Sequence, residues 1–163
     1  MDIIEIIENM GAGETLATFV VSMLPVVELR GAIPVGAGLG LPVWQAAAVS
    51  VVGNLLPVPF IIAFVRTVMD WLRQKSERMR QFVAWLESKA TGKRADRVRQ
   101  AEFWGLMLFV AVPLPGTGAW TGALIAALLN IRMRNALPAI ILGVLVAALL
   151  VSLATAGIVH IWV

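Results

Sequence analysis

Glu28 and Arg30, in the run ELRGAIPVG (Glu28 to Gly36), are the one pair of ionisable residues set in the middle of a long apolar stretch. Charged side chains at membrane depth are costly and are mostly kept where a substrate or ion passes. The chemistry they suggest is charge handling, with a carboxylate that exchanges a proton and a guanidinium that receives an anion. The same two residues could instead neutralise each other and pin the local structure. A second run, PLPGTGAWTGALIA (Pro113 to Ala126), has no charge and is broken by Pro113, Pro115, Gly116 and Gly118. Such a break offers backbone amides and the Thr117 hydroxyl just ahead of a half-helix starting near Ala119, and helix N-termini attract anions.

Together the two runs predict a midplane site for an anionic headgroup. Its candidate substrate-binding or coupling residues are Glu28, Arg30, Gly31, Pro34, Asn54, Pro113, Pro115, Gly116, Thr117, Gly118, Trp120 and Thr121. Two of these have structural alternatives: Asn54 as a bridge between helices, and Trp120 as a packing residue.

Other chemistries find no footing. The chain has no cysteine and one histidine, His160, so disulfides, thiolate nucleophiles and clustered metal ligands are not expected, nor is any cofactor. A buried Ser–His pair, a pair of membrane aspartates, a Walker A sequence and HExxH are all missing, and no enzymatic activity is expected.

The elements that must position these residues are set by composition. Of 163 residues, 60% are hydrophobic and 14% charged, and mean hydropathy is +0.87. So apolar a surface calls for lipid as solvent, and the length allows about four to six membrane segments in a single domain spanning 1–163. Asp2, Glu5 and Glu8 stand where a signal peptide would need basic residues.

Net charge is +3 overall but unevenly placed: residues 66–102 hold ten basic and five acidic side chains, leaving −2 for the remainder. A basic loop between apolar segments reads as cytoplasmic, and no nucleic-acid partner is expected. Within it Val68, Leu72, Met79, Phe82, Val83 and Leu86 share a stripe, predicting one amphipathic helix on the membrane surface that ends near Gly92.

Four apolar segments flank the loop: Glu14 to Gly38, Leu41 to Val65, Phe103 to Leu129 and Asn135 to Val163. The second and fourth are long enough to span, although Pro57 and Pro59 should kink or end the second early. The first, broken by Pro25, Glu28, Arg30, Gly31 and Pro34, and the third, broken at Pro113 to Gly118, are expected to be re-entrant hairpins, since non-helical backbone at membrane depth must be covered by protein or a cavity.

If the third segment crossed the membrane, the basic loop and Arg132-Met133-Arg134 would face opposite sides, against the positive-inside tendency. The expected fold class is therefore an all-α integral membrane protein, with two re-entrant hairpins and two transmembrane helices in an inverted repeat. The first repeat is 1–65, with an N-terminal amphipathic segment, the loop is 66–102 and the second repeat is 103–163, with both termini external. Identities at an offset of 90, Pro25/Pro115 among them, support the repeat. Ala32, Gly36, Gly40 and Gly118, Gly122, Ala126 recur at four-residue spacing, as close helix packing in lipid requires. Four full spans with internal termini form the rival topology.

The runs ELRGAIPVG and PLPGTGAWTGALIA resemble the two signatures of the small multidrug export protein family, and the resemblance covers nearly the whole chain. That family is similar in layout to the DedA, or VTT-domain, superfamily, whose members have two opposed re-entrant hairpins and move lipids or lipid-linked phosphates such as undecaprenyl phosphate. The resemblance implies a transporter or flippase in a prokaryotic cytoplasmic membrane, with Glu28 and Arg30 at the acidic and basic positions of the first hairpin. Its expected partners are membrane lipids and a small amphipathic or lipid-phosphate substrate, with a homo-oligomer left open. The second hairpin departs from the superfamily pattern, since Ala111 to Thr121 lacks the arginines typical there. A non-transporting protein that organises lipids or partner proteins is the alternative.

Overall fold

The computed structural model describes residues 12–90, 95–114 and 116–162, and all its regular elements are helices. In chain order they are α1 (Ala12–Met23), α2 (Glu28–Gly38), α3 (Val43–Leu55), α4 (Val58–Lys75), α5 (Glu77–Ala90), α6 (Ala95–Ala111), α7 (Ala119–Leu128) and α8 (Met133–Trp162). The N-terminal amphipathic segment, Gly92, Pro115 and Val163 lie outside the described residues.

Two stretches are long and apolar enough to cross a bilayer: Val43–Lys75, where α3 and α4 run on almost end to end, and Met133–Ile158 within α8. Shorter apolar helices are Ala12–Met23, Glu102–Ala111 and Ala119–Leu128. The large side chains face outward, as Trp44 (73% exposed), Phe60 (70%) and Leu153 (63%) illustrate, while Ala32, Ala46, Ala119, Ala123, Ala126, Ala136 and Ala139 are all fully buried. Small residues inside and large apolar ones outside is the packing expected of helices solvated by lipid.

The turns α2–α3 and α7–α8 have the same backbone bonding 90 residues apart. Leu41 N–H donates to Gly36 O (3.0 Å) and Gly40 N–H to Ala37 O (3.1 Å); Ile131 N–H donates to Ala126 O (2.9 Å) and Asn130 N–H to Ala127 O (3.1 Å). Both are Schellman caps. Each has a left-handed residue at its apex, Gly40 at φ 102° and Asn130 at φ 52°, and a buried apolar residue next, Leu41 or Ile131.

α1 packs on α2 and α3, and α6 on α8, with close approaches at another pair 90 apart. A Cβ on Gly53 of α3 would stand 2.8 Å from Phe19 O of α1, and one on Gly143 of α8 would stand 2.7 Å from Met107 O of α6. Contacts of α2 and α3 with α8, and of α4 with α7, join the two halves.

Three expectations need correction. Gly31 and Pro34 are inside α2, so the break in the first segment is confined to residues 24–27. Pro57 and Pro59 interrupt the second segment without ending it, since α4 continues past Val65 to Lys75. The amphipathic stripe is divided at Ser76, whose extended backbone (φ −157°, ψ 137°) assigns Val68 and Leu72 to α4 and leaves Met79, Phe82 and Val83 on α5. Helical periodicity continues through Ser76 in sequence, whereas the chain direction does not.

Candidate functional site

α7 begins after Gly118, and its first amides have no helical acceptor. The Glu28 carboxylate supplies one: Oε1 accepts from Trp120 N–H at 3.1 Å, and the Ala119 amide faces the same group. Glu28 opens α2 in the left-handed region, at φ 50°, and is 5% exposed. For a residue other than glycine that conformation costs about 1–3 kcal/mol. A carboxylate on the positive end of a helix offsets part of it. Gly118 lies directly beneath, where a Cβ would come within 2.6 Å of Glu28 Cδ.

At the other side of the same break α6 ends at Ala111, and Pro113 has no N–H with which to continue the ladder. Arg30 answers these carbonyls. Its Nη2 donates to Val112 O at 2.9 Å and to Val110 O at 3.3 Å, and its Nη1 donates to Leu114 O. The Thr117 hydroxyl lies 2.7 Å from Val112 O and 2.9 Å from Leu114 O, tightening the loop from within. Gly116 makes the sharp turn at φ 81°, a conformation that favours glycine.

Glu28 and Arg30 therefore do not neutralise each other by direct contact. Ion pairs among the described residues include Arg73–Asp70 on α4 and Arg80–Glu77 on α5. Each of the two charges meets the backbone across from it: the carboxylate takes the start of α7, the guanidinium the end of α6. Trp120 reciprocates, because its Nε1 donates to Met23 O, the last residue of α1, at 3.2 Å.

A cavity of about 510 Å³ opens between the two breaks. Of the residues expected at the site, Glu28, Arg30, Gly31, Pro113, Gly116, Thr117 and Thr121 line it, with Gly118 and Trp120 bonded or packed against Glu28. Pro34 is exposed on α2 and Asn54 is buried on α3, and neither lines the cavity. Pro115 belongs to the run but lies outside the described residues.

Sequence reasoning missed the turn Pro25-Val26-Val27 as part of the wall and the carbonyls of Met23, Val110, Val112 and Leu114 as ligands of side chains. A signal existed for the latter, since a Pro-x-Pro break strands carbonyls that need donors and Arg30 is the single cation of the apolar segments' interiors. What results is a carboxylate, a guanidinium and hydroxyls facing a space with apolar walls, suited to an amphipathic or anionic group. Among the described residues no group of three or more His, Cys, Asp or Glu could hold a metal.

No curated protein and no solved structure matches the chain. The family model described as "Putative small multi-drug export protein" matches residues 28–150, a stretch that contains Glu28, Arg30 and the whole of the second break, and this membrane protein belongs to that family.

Proposed function

We propose that the protein is a small secondary transporter or flippase that moves an amphipathic or anionic substrate, lipid phosphates included, between two re-entrant hairpins related as an inverted repeat. The observation that carries this is the cavity bounded by Glu28 and Arg30, with each residue bonded to the opposite hairpin. A proton on Glu28 weakens its hold on the α7 amides, so protonation and substrate entry become alternative ways of opening one contact. Arg30 then steers the negative group. The family's name favours export of small molecules, and the Schellman turns 90 residues apart favour the repeat.

The arrangement is that of two half-membrane hairpins and two spans in a prokaryotic cytoplasmic membrane, with loop 66–102 on the cytoplasmic side and both termini outside. The layout is similar to that of the DedA superfamily, without the arginines typical of its second hairpin. The substrate is a lipid phosphate or another small amphipathic molecule drawn from the membrane, and self-association of the chain is compatible with it.

The experiment is flux in proteoliposomes, with a fluorescent lipid phosphate and a cationic dye assayed in parallel. Glu28→Gln should reduce flux at least about tenfold, a change of about 1.4 kcal/mol in barrier, while the protein still elutes as a folded species and melts cooperatively. Wild-type flux in Glu28→Gln and Arg30→Ala would overturn the proposal. A second reading, a non-transporting membrane organiser, draws on the capping role of both residues; it is favoured if neither substrate moves and breaking either cap removes folded protein.

A further inference from the structure

Away from the Glu28 cavity, α3 carries two polar side chains with no visible purpose. Ser50 and Asn54 are one helical turn apart, on the same face, and are 0% and 1% exposed. Ser50 Oγ, Asn54 Oδ1 and Asn54 Nδ2 are buried and make no hydrogen bond. α3 packs against α1, α2 and α8, so these atoms are enclosed by protein. Buried polar atoms are ordinarily satisfied, and three orphaned together call for a ligand.

The backbone beside them is short of donors as well. Pro57 and Pro59 have no N–H for the carbonyls of Gly53 and Leu55, four residues before each. Regular bonding flanks this gap, with Leu56 N–H on Val52 O (3.1 Å) and Ile61 N–H on Pro57 O (2.9 Å). The gap coincides with the end of α3, where the helix dipole is negative. Counted from Val43, Asn54 lies roughly 16 Å along the helix, about half the thickness of the hydrocarbon core.

We infer that Ser50, Asn54 and the α3–α4 break bind a sodium ion. The donors are hard and uncharged: a hydroxyl, an amide oxygen and backbone carbonyls at an interrupted membrane helix, the set that suits a monovalent cation. Calcium and magnesium call for carboxylates, and no acidic group of three or more exists among the described residues. Asn54 Nδ2, a donor, faces a water of the ion's shell. Internal water alone could satisfy the same atoms. Binding at this site does not depend on the transport proposal, because it requires no flux.

The test is thermal melting of the full-length protein in detergent, in sodium, potassium or choline chloride at equal ionic strength, together with equilibrium binding of radioactive sodium. Sodium should raise the melting temperature saturably and potassium and choline should not, because a ligand that binds only the folded state stabilises it. Asn54→Leu and Ser50→Ala should lose the sodium response while still melting cooperatively in choline. Should Asn54→Leu fail to fold, Ser50→Ala and sodium binding to the wild type decide. Equal melting in all three salts without sodium binding means that the atoms hold water, and overturns the inference. So does a sodium response that persists in Ser50→Ala and Asn54→Leu.

Discussion

Arg30 and Trp120 stand 90 residues apart, and each donates hydrogen bonds to the carbonyl end of the helix that precedes the other: Arg30 to Val110, Val112 and Leu114 after α6, Trp120 to Met23 at the end of α1. The two breaks are closed reciprocally, each by a side chain from the helix that follows the other. A charged donor serves the longer break, where more carbonyls are stranded, and a neutral indole serves the shorter one.

The two caps should therefore differ in weight. Trp120→Phe keeps the ring and loses one neutral hydrogen bond, and should destabilise by about 1 kcal/mol. Arg30→Leu takes the charged donor from three carbonyls, of which Val112 O and Leu114 O keep the Thr117 hydroxyl, and should cost more than twice that, since bonds from charged groups contribute about 1.5–3 kcal/mol. Denaturant melting of both variants in one detergent checks the order, and equal losses would show that the guanidinium is not the dominant cap.

Gly118 and Glu28 form a tighter couple. Because a Cβ at 118 would enter the Glu28 carboxyl group, Gly118→Ala should displace that side chain and destabilise strongly. Part of the loss should disappear in the background Glu28→Ala, where the carboxyl is gone, and the part that stays is the cost of a side chain at φ 159°, which favours glycine. A double-mutant cycle reads this as a coupling of about 1–3 kcal/mol, whereas additive effects would mean that the two do not meet.

How much of this was legible beforehand follows from the range of the forces involved. The break Pro113 to Gly118 and the helices flanking it could be read from prolines and glycines, because a missing N–H is a local fact. The partners of Glu28 and Arg30 could not, because they lie 80 or more residues away and helical periodicity carries no information on which break faces which. Pro34 was read as part of a break since prolines usually end helices, yet α2 accepts it on an exposed face. Ser76 was read as continuing a helix for the converse reason, since nothing in its residue type marks the extended backbone it adopts.

The two Schellman turns can be tested by residue type. Gly40→Ala places a Cβ in a left-handed conformation and should cost about 1–2 kcal/mol. Asn130→Val, a β-branched residue at φ 52°, should cost at least as much. Asn130→Gly should be milder, because glycine accepts that backbone as readily as asparagine does. Thermal melting of the three variants gives the ranking, and a harmless Asn130→Val would remove the turn from the list of constraints on the fold.

Topology is decided at the same turns. In the hairpin arrangement residues 39 and 129, both exposed, face opposite sides of the membrane, whereas four full spans would place both outside. The chain has no cysteine, so Leu39→Cys and Leu129→Cys each carry a single thiol. An impermeant maleimide added to intact cells should label Leu39→Cys at once and Leu129→Cys only after permeabilisation. Prompt labelling of both would refute the re-entrant second hairpin, and with it the inverted repeat, because α7 would then continue the direction of α6 instead of reversing it. Arg132 and Arg134 make the same distinction energetically, since moving both to the outer face opposes the tendency that holds basic residues near membrane segments inside.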